Sequence, residues 1–258
     1  MADDPWQALA EPFVEGAYAT VKGKVRTFVL HQQLMAHLPS GPVSILDVGG
    51  GAGHQSYPLA RVGHEVTLLD PSAAMLAKAE QRLSAESPEV RRRVRLIQAP
   101  GESAAEAVGG QQFAAVLCHG VLLYQPNPAP LLAALCRCVQ PNGLVSVMTL
   151  NAATMAVRHA VARRWAEALA GFEATEEVGQ LGTPTRGDTV EGLTGLLAGL
   201  GVIVHAWYGV LLFSDWVDLA LEGTDIAAVA RVELQASLRD PYRQLSRAFH
   251  LLGTRSAA

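Results

Sequence analysis

Apolar residues in this chain fall into short dense runs, separated by stretches where they recur every three or four positions. The runs are VSIL (43–46), EVTLLD (65–70), VRLIQA (94–99), FAAVLC (113–118) and GLVSVMTLN (143–151). Each is partly β-branched and bounded by turn residues, the pattern of a buried strand. Between them lie helical patterns: Gln55 to Arg61, stopped by Gly63; PSAAMLAKAEQRL, with Ala74, Leu76, Ala79 and Leu83 on one side; the short AAEAVGGQQ; and LLAALCRCV before a PNG turn. The linker SAESPEVRRR reads as polar, with Arg91 to Arg93 a solvated approach to the third strand. Residues 6–37 read as one or two helices ahead of the first strand. Strands alternating with helices predict an α/β fold built on a doubly wound, mostly parallel sheet.

From residue 152 the alternation stops. Ala153 to Ala170 reads as helix, and FEATEEVGQLGTPTRGD (172–188) is polar, turn-rich and weakly structured. Together they predict a helical and loop cap inserted at the carboxyl side of the sheet, where a lid over a substrate belongs. TVEGLTGLLAGLG is a helix ended by Gly199 and Gly201, and VIVHAWYGVLLF is a strand pair or one long strand bent at Gly209. Residues 214–251 read as mostly helix with a short apolar finish. The expected organisation is a single domain: a helical segment over 1–40, a ligand-binding core over 41–151, the cap insertion over 152–190, and the rest of the sheet and helices over 191–258.

Composition narrows the class. Half of the 258 residues are apolar, enough for a sizeable core, yet no apolar run reaches the roughly 18 residues of a membrane span. The acidic start MADDPWQALAEPF lacks a basic region and an apolar stretch, so a cytoplasmic protein is expected. A net charge of −4 supplies no overall basic field for nucleic acid. Cys118, Cys136 and Cys138 form no C-x-x-C pair, so buried thiols are expected and a metal site is not.

The chemistry concentrates in VSILDVGGGAG (43–53), a strand ending in Asp47 and running through Gly49, Gly50, Gly51 and Gly53 towards a helix. Glycines there let a ligand approach the backbone, and the helix start points its free N–H groups at the same place. A dinucleotide fingerprint would need its third glycine at position 54, which holds His54. Asp70 ends the second strand 23 positions after Asp47, where a carboxylate can accept hydrogen bonds from a ribose diol; capping the next helix is the plainer alternative, although Ser72 can also do that. Gly101 and Glu102 follow the third strand. His119 follows the fourth, beside the expected cleft.

The spacing D-x-G-x-G-x-G resembles the first motif of class I S-adenosylmethionine (SAM) methyltransferases, which implies SAM as cofactor. A narrower resemblance, to the tRNA 5-carboxymethoxyuridine methyltransferases, spans nearly the whole chain. It rests on Tyr18, Thr20, Lys22, Gly23 and Arg26 in Y-x-T-x-K-G-x-x-R, on LDVGGGAG, LLDPSAAML, CHGVL and PNGLVSVM-x-x-N, and on Pro184 and Arg186 in P-x-R. GVLLFSDW, and DPY before a helix expected to hold Arg247 and His250, complete it. The resemblance implies SAM contacts from Arg26, Gly49, Gly50, Asp70, Gly101, Glu102 and His119, and a methyl ester formed on a modified wobble uridine in the anticodon of tRNA. Two positions depart from that family: the insertion is acidic where the family carries lysines, and Leu150 stands where the family has a tyrosine. Arg186 is the expected orienter of the acceptor, with His119 beside it and cations of the 158–164 stretch assisting. Clustering of Arg26, Arg158, Arg163, Arg164 and Arg186 at the cleft mouth would point to tRNA. A closed apolar pocket would point to the alternative, a small carboxylate or hydroxyl metabolite. A non-catalytic SAM-binding module is the third reading.

Overall fold

The computed structural model describes residues 10–11, 14–179, 182–217, 219–220 and 222–257, so the first part of the expected N-terminal helical segment lies outside the described residues. Helix α1 (Val21–Met35) is capped by Thr20, whose hydroxyl accepts from the Gly23 N–H at 3.1 Å. There follow β1 (Ser44–Val48), α2 (Ser56–Arg61), β2 (Glu65–Asp70), α3 (Ala73–Ser84), α4 (Pro88–Arg92), β3 (Val94–Gln98), α5 (Ala104–Ala107), β4 (Phe113–His119), α6 (Ala129–Cys138) and β5 (Val139–Asn151). The polar linker thus contains a helix. Ser87 caps α4, Pro88 pre-sets its first turn and Val90 is buried beneath it.

The cap insertion consists of α7 (Met155–Val161), α8 (Trp165–Gly171), β6 (Glu176–Val178) and β7 (Pro184–Asp188). Its helical part breaks between α7 and α8, where Arg163 takes a φ of 58°. The stretch read as weakly structured is a hairpin, with Glu176 opposite Arg186 and Val178 opposite Pro184. Then come α9 (Val190–Gly199), β8 (Val202–Val210) as one strand, α10 (Phe213–Trp216), α11 (Ile226–Ser237) and β9 (Ala248–Arg255).

The five strands β3-β2-β1-β4-β5 are parallel, in that order. β9 pairs antiparallel with β5, and β8 antiparallel with β9. Arg247 and His250 are therefore not on a helix. His250 is in β9, and Arg247 is the residue before that strand. The apolar finish conceals its period of two because both faces of β9 are covered. Phe249 and Leu251 join α6 and α9 in one core, while Leu252 joins Ala115, Leu117 and Leu144 in the other. Cys118, Cys136 and Cys138 are free and buried.

Leu150 pairs with Ala248 on one edge of β5, so its pairing with Gly187 uses the other edge. β7 therefore continues the sheet just past the end of β4 and carries the hairpin over the carboxyl ends of the strands. Strand order reverses between β1 and β4, and the crevice of an open α/β sheet lies there. Among the described residues, no helix is long and apolar enough to cross a membrane.

Candidate functional site

The loop after β1 uses glycine at alternate positions because Gly49, Gly51 and Gly53 all have positive φ, at 70°, 54° and 77°. Its shape is fixed from β2. Asp70 Oδ2 accepts from the Gly51 N–H at 2.9 Å, and Oδ1 accepts from the Ser72 N–H at 2.9 Å. Ser72 itself caps α3 by accepting from the Met75 N–H. Asp70 thus braces the glycine loop and still lines the cavity beside it.

The N-terminal segment covers this loop from above. Gly23 has no room for a Cβ, because the backbone of Ala17 and Tyr18 lies directly on it. That close approach explains the glycine of K-G-x-x-R. Arg26, almost a turn further along α1, reaches back under the same segment. Its Nη2 donates to the Ala17 carbonyl at 3.1 Å, and its guanidinium stacks 4.5 Å from the centre of the Tyr18 ring.

Two adjoining cavities result, sharing Tyr18, Gly49 and His119. The first is lined by Gly51, Asp70, Pro71, Met75, Val121 and Tyr124 among others. The second is lined by Arg26, Asp47, Gly50, His54, Gln55 and Met148 among others. Gly53 serves the loop's shape and lies against Tyr57 instead, while Gly101 packs on Leu131 and Val48 and Glu102 is exposed. None of these three lines either cavity.

The second cavity holds polar atoms left unsatisfied among the described residues. Both Gln55 side-chain atoms and His119 Nδ1 are buried there without a described partner. Burial pushes the Asp47 carboxyl up to about 6, with Asp70 adding to the effect and the Ser56 hydroxyl, donating at 2.6 Å, opposing it. Arg26 and the Gln55 amide can donate; Asp47, Gln55 Oε1 and His119 Nδ1 can accept. Such a set complements the carboxylate and ammonium of an amino acid, and the Asp70 cavity next door complements a ribose.

Comparison with known proteins agrees. A methyltransferase-domain family model matches residues 46–145. The tRNA 5-carboxymethoxyuridine methyltransferase of Escherichia coli O157:H7 is 28% identical over 255 residues, 97% of this chain and 96% of that protein. A ubiquinone biosynthesis O-methyltransferase of Xanthomonas oryzae pv. oryzae (strain PXO99A) is 33% identical over 116 residues, 45% of this chain and 46% of its own. The glycopeptide N-methyltransferase MtfA, crystallised with SAM, shares the fold at a TM-score of 0.58 and 15% identity, covering 90% of this chain and 94% of MtfA. The chain is a class I SAM-dependent methyltransferase. Its cofactor is SAM, and the unsatisfied atoms of the second cavity fit the amino-acid end of that molecule.

The methyltransferase fixes the proton positions on His119 from a distance. Gln33 Nε2 faces the Gly209 carbonyl at 3.0 Å and must donate to it, so Gln33 Oε1 faces His250 Nδ1 at 2.9 Å as acceptor. His250 therefore carries its proton on Nδ1 and accepts through Nε2 from the Ser146 hydroxyl at 2.7 Å. Ser146 Oγ in turn accepts from His119 Nε2–H at 2.8 Å. His119 Nδ1 is left as a lone pair, and burial pulls the ring down to about 3, so it is neutral. The three side chains share one face of the sheet, because Met148 pairs with both His119 and His250 and Ser146 lies two residues before it.

A third cavity, of about 390 Å³, meets the second at Arg26 and the first at Tyr124. The hairpin roofs it with Glu177, Gly179, Thr183 and Thr185, and Lys22, Arg158, Leu150 and Arg247 face into it. Asp215 binds both Lys22 and Arg158, and Glu177 binds Arg247. Of the five arginines expected to cluster, Arg26 and Arg158 meet here. Arg163 and Arg164 are exposed, and Arg164 is turned to His159. Arg186 is engaged on all three nitrogens, donating to Asp188 at 2.6 and 3.1 Å and to the Gln125 carbonyl at 3.0 Å. It braces the hairpin against the turn after β4 and lines none of the three cavities. Sequence reasoning missed Gln55 and Thr183. It quoted Arg247 only as a piece of a family pattern, and read Lys22, with Lys24 and Arg26, as a short cationic stretch as well as a piece of that pattern.

Proposed function

We propose that this methyltransferase converts the carboxylate of 5-carboxymethoxyuridine in tRNA into its methyl ester. One observation carries the reading: the acceptor cavity is rich in cations and holds no usable base. Among the described residues lining it, Glu177 is engaged by Arg247, and burial raises the Tyr124 phenol to about 12. An alcohol or amine acceptor has a proton that must be removed, whereas a carboxylate is already an anion and needs only to be held and aligned. When bound, SAM supplies a methyl group on a sulfonium sulfur, and a carboxylate oxygen takes it with no proton to dispose of.

The residues divide the cofactor as follows. Asp70 accepts from the ribose hydroxyls, with Gly101 and Glu102 on the adenine side. Arg26 pairs with the SAM carboxylate as a planar fork. Asp47, Gln55 and His119 Nδ1 receive the ammonium, and the backbone of Gly49 to Gly51 lines its path. The likeness to the Escherichia coli enzyme over 97% of the chain supports tRNA as the acceptor. A tRNA base turned out of the anticodon loop suits a cavity of this size, and such a substrate sets the work in the cytoplasm.

Exposed Glu173 and Glu176 on the cap favour a second reading, methylation of a small carboxylate or hydroxyl metabolite. Mass spectrometry of tRNA nucleosides from a strain lacking the gene separates the two. Loss of the methyl ester with accumulation of the free acid is expected. An unchanged nucleoside profile rejects tRNA and leaves the metabolite.

A further inference from the structure

Arg247 is 5% exposed and gives its Nη2 to Glu177, yet its Nη1 has no hydrogen-bond partner among the described residues. Thr183 Oγ1, in the hairpin loop, is also enclosed without a partner among the described residues. Both residues line the cavity that adjoins Arg26. A buried donor left unmade is a standing penalty, which native structures seldom carry unless a ligand completes it.

The charges are unbalanced in the same sense. Arg26, which also lines the cavity, is assigned above to the cofactor. Of the other cations there, Lys22 and Arg158 share Asp215 and Arg247 has Glu177, so among the described residues three cations face two carboxylates. One positive charge is left over. Burial and the neighbouring Arg158 lower Arg247 only to about 10, so it remains cationic at neutral pH. Arg186, by contrast, has spent its guanidinium on Asp188 and Gln125.

We propose that Arg247 Nη1 and Thr183 Oγ1 form the subsite that receives the carboxylate of the methyl acceptor, with Lys22 and Arg158 supplying the field around it. This rests on the carboxyl-methylation reading above. One carboxylate oxygen accepts from the guanidinium and the hydroxyl, and the other stays available as the nucleophile. Methylation removes the charge that the subsite recognises, so the neutral ester is released where the acid was held. The same site rejects the carboxamide, which offers no negative charge to the surplus cation.

The test uses the full chain with SAM and two synthetic anticodon stem-loops, one carrying 5-carboxymethoxyuridine and one its carboxamide. Thr183→Val keeps the side chain's shape and leaves the Arg247–Glu177 pair alone. It is expected to raise KM for the acid roughly fivefold to tenfold. Arg247→Lys keeps the charge but loses the fork, and is expected to raise KM by about thirtyfold or more. Both variants are expected to bind the acid and the carboxamide more nearly alike, with the calorimetric Kd for SAM unchanged. Thr183→Val decides the matter if Arg247→Lys does not fold. Variants with wild-type KM and wild-type preference overturn the subsite while carboxyl methylation stands. A wild-type enzyme that ignores the acid stem-loop overturns both.

Discussion

At the end of β1, the Asp47 carboxyl is 3% exposed, accepts from Ser56 and titrates near 6 instead of 3.8. The folded chain thus binds more protons than the unfolded chain between those two values. The stability that Asp47 contributes is fully present below about pH 4 and is lost as pH rises through about 6. Asp47→Asn escapes that loss. Its unfolding free energy, from chemical denaturation, is expected to match wild type near pH 4 and to exceed it above pH 6, by at most about 3 kcal/mol. Calorimetry with SAM at pH 7 is expected to move the other way, because the variant lacks the charge assigned to the ammonium. A gain in stability with undiminished SAM affinity would leave Asp47 as a buried acid and nothing more.

Among the elements, the β1–α2 loop depends most on residue type. Gly53 sits at a φ of 77°, and a Cβ there would overlap the ring of Tyr57, whose hydroxyl donates to the Ala79 carbonyl and ties α2 to α3. Gly53→Ala is expected to cost roughly 2–4 kcal/mol in chemical denaturation. SAM affinity should fall as well, although Gly53 lines neither cofactor cavity. This loop was legible in the sequence because each glycine answers a local backbone demand. The positions of Asp47, Asp70 and His119 were legible for a related reason, since each lies at or one residue before the end of a strand and parallel strands end together. The hairpin and β9 were not. The hairpin's register comes from pairing with β5 at Gly187, and β9 shows no alternation because both its faces are buried. Arg247 and Arg26 lie at opposite ends of the chain and open on the same cavity because antiparallel β9 starts where β5 ends. Local pattern carries no trace of that.

At the scale of the whole molecule, the proposed anionic substrate would be met by a chain of net charge −4 through a few local cations. On the tRNA reading, the exposed Arg163 and Arg164, just beyond α7, are the cap residues proposed to meet phosphates. With about two such contacts, kcat/KM for an anticodon stem-loop is expected to fall with salt at a log–log slope of roughly −2. Arg163→Asn with Arg164→Gln, the Asn chosen for the left-handed backbone at 163, is expected to flatten the slope by about 1.5 and leave a free small acid's rate unaltered. A slope unmoved by the double variant would remove the cap from the tRNA interface. The hydrogen-bond chain from Gly209 to His119 has a consequence for what this scaffold can become. A carbonyl cannot change from acceptor to donor, so the whole relay has a fixed polarity, written at the far side of the sheet and read out in the cleft. To serve an alcohol, His119 would have to take up a proton in surroundings that keep it neutral down to about pH 3. Divergence towards hydroxyl chemistry would therefore have to begin with the wiring at Gln33 and His250, well away from any atom that reacts.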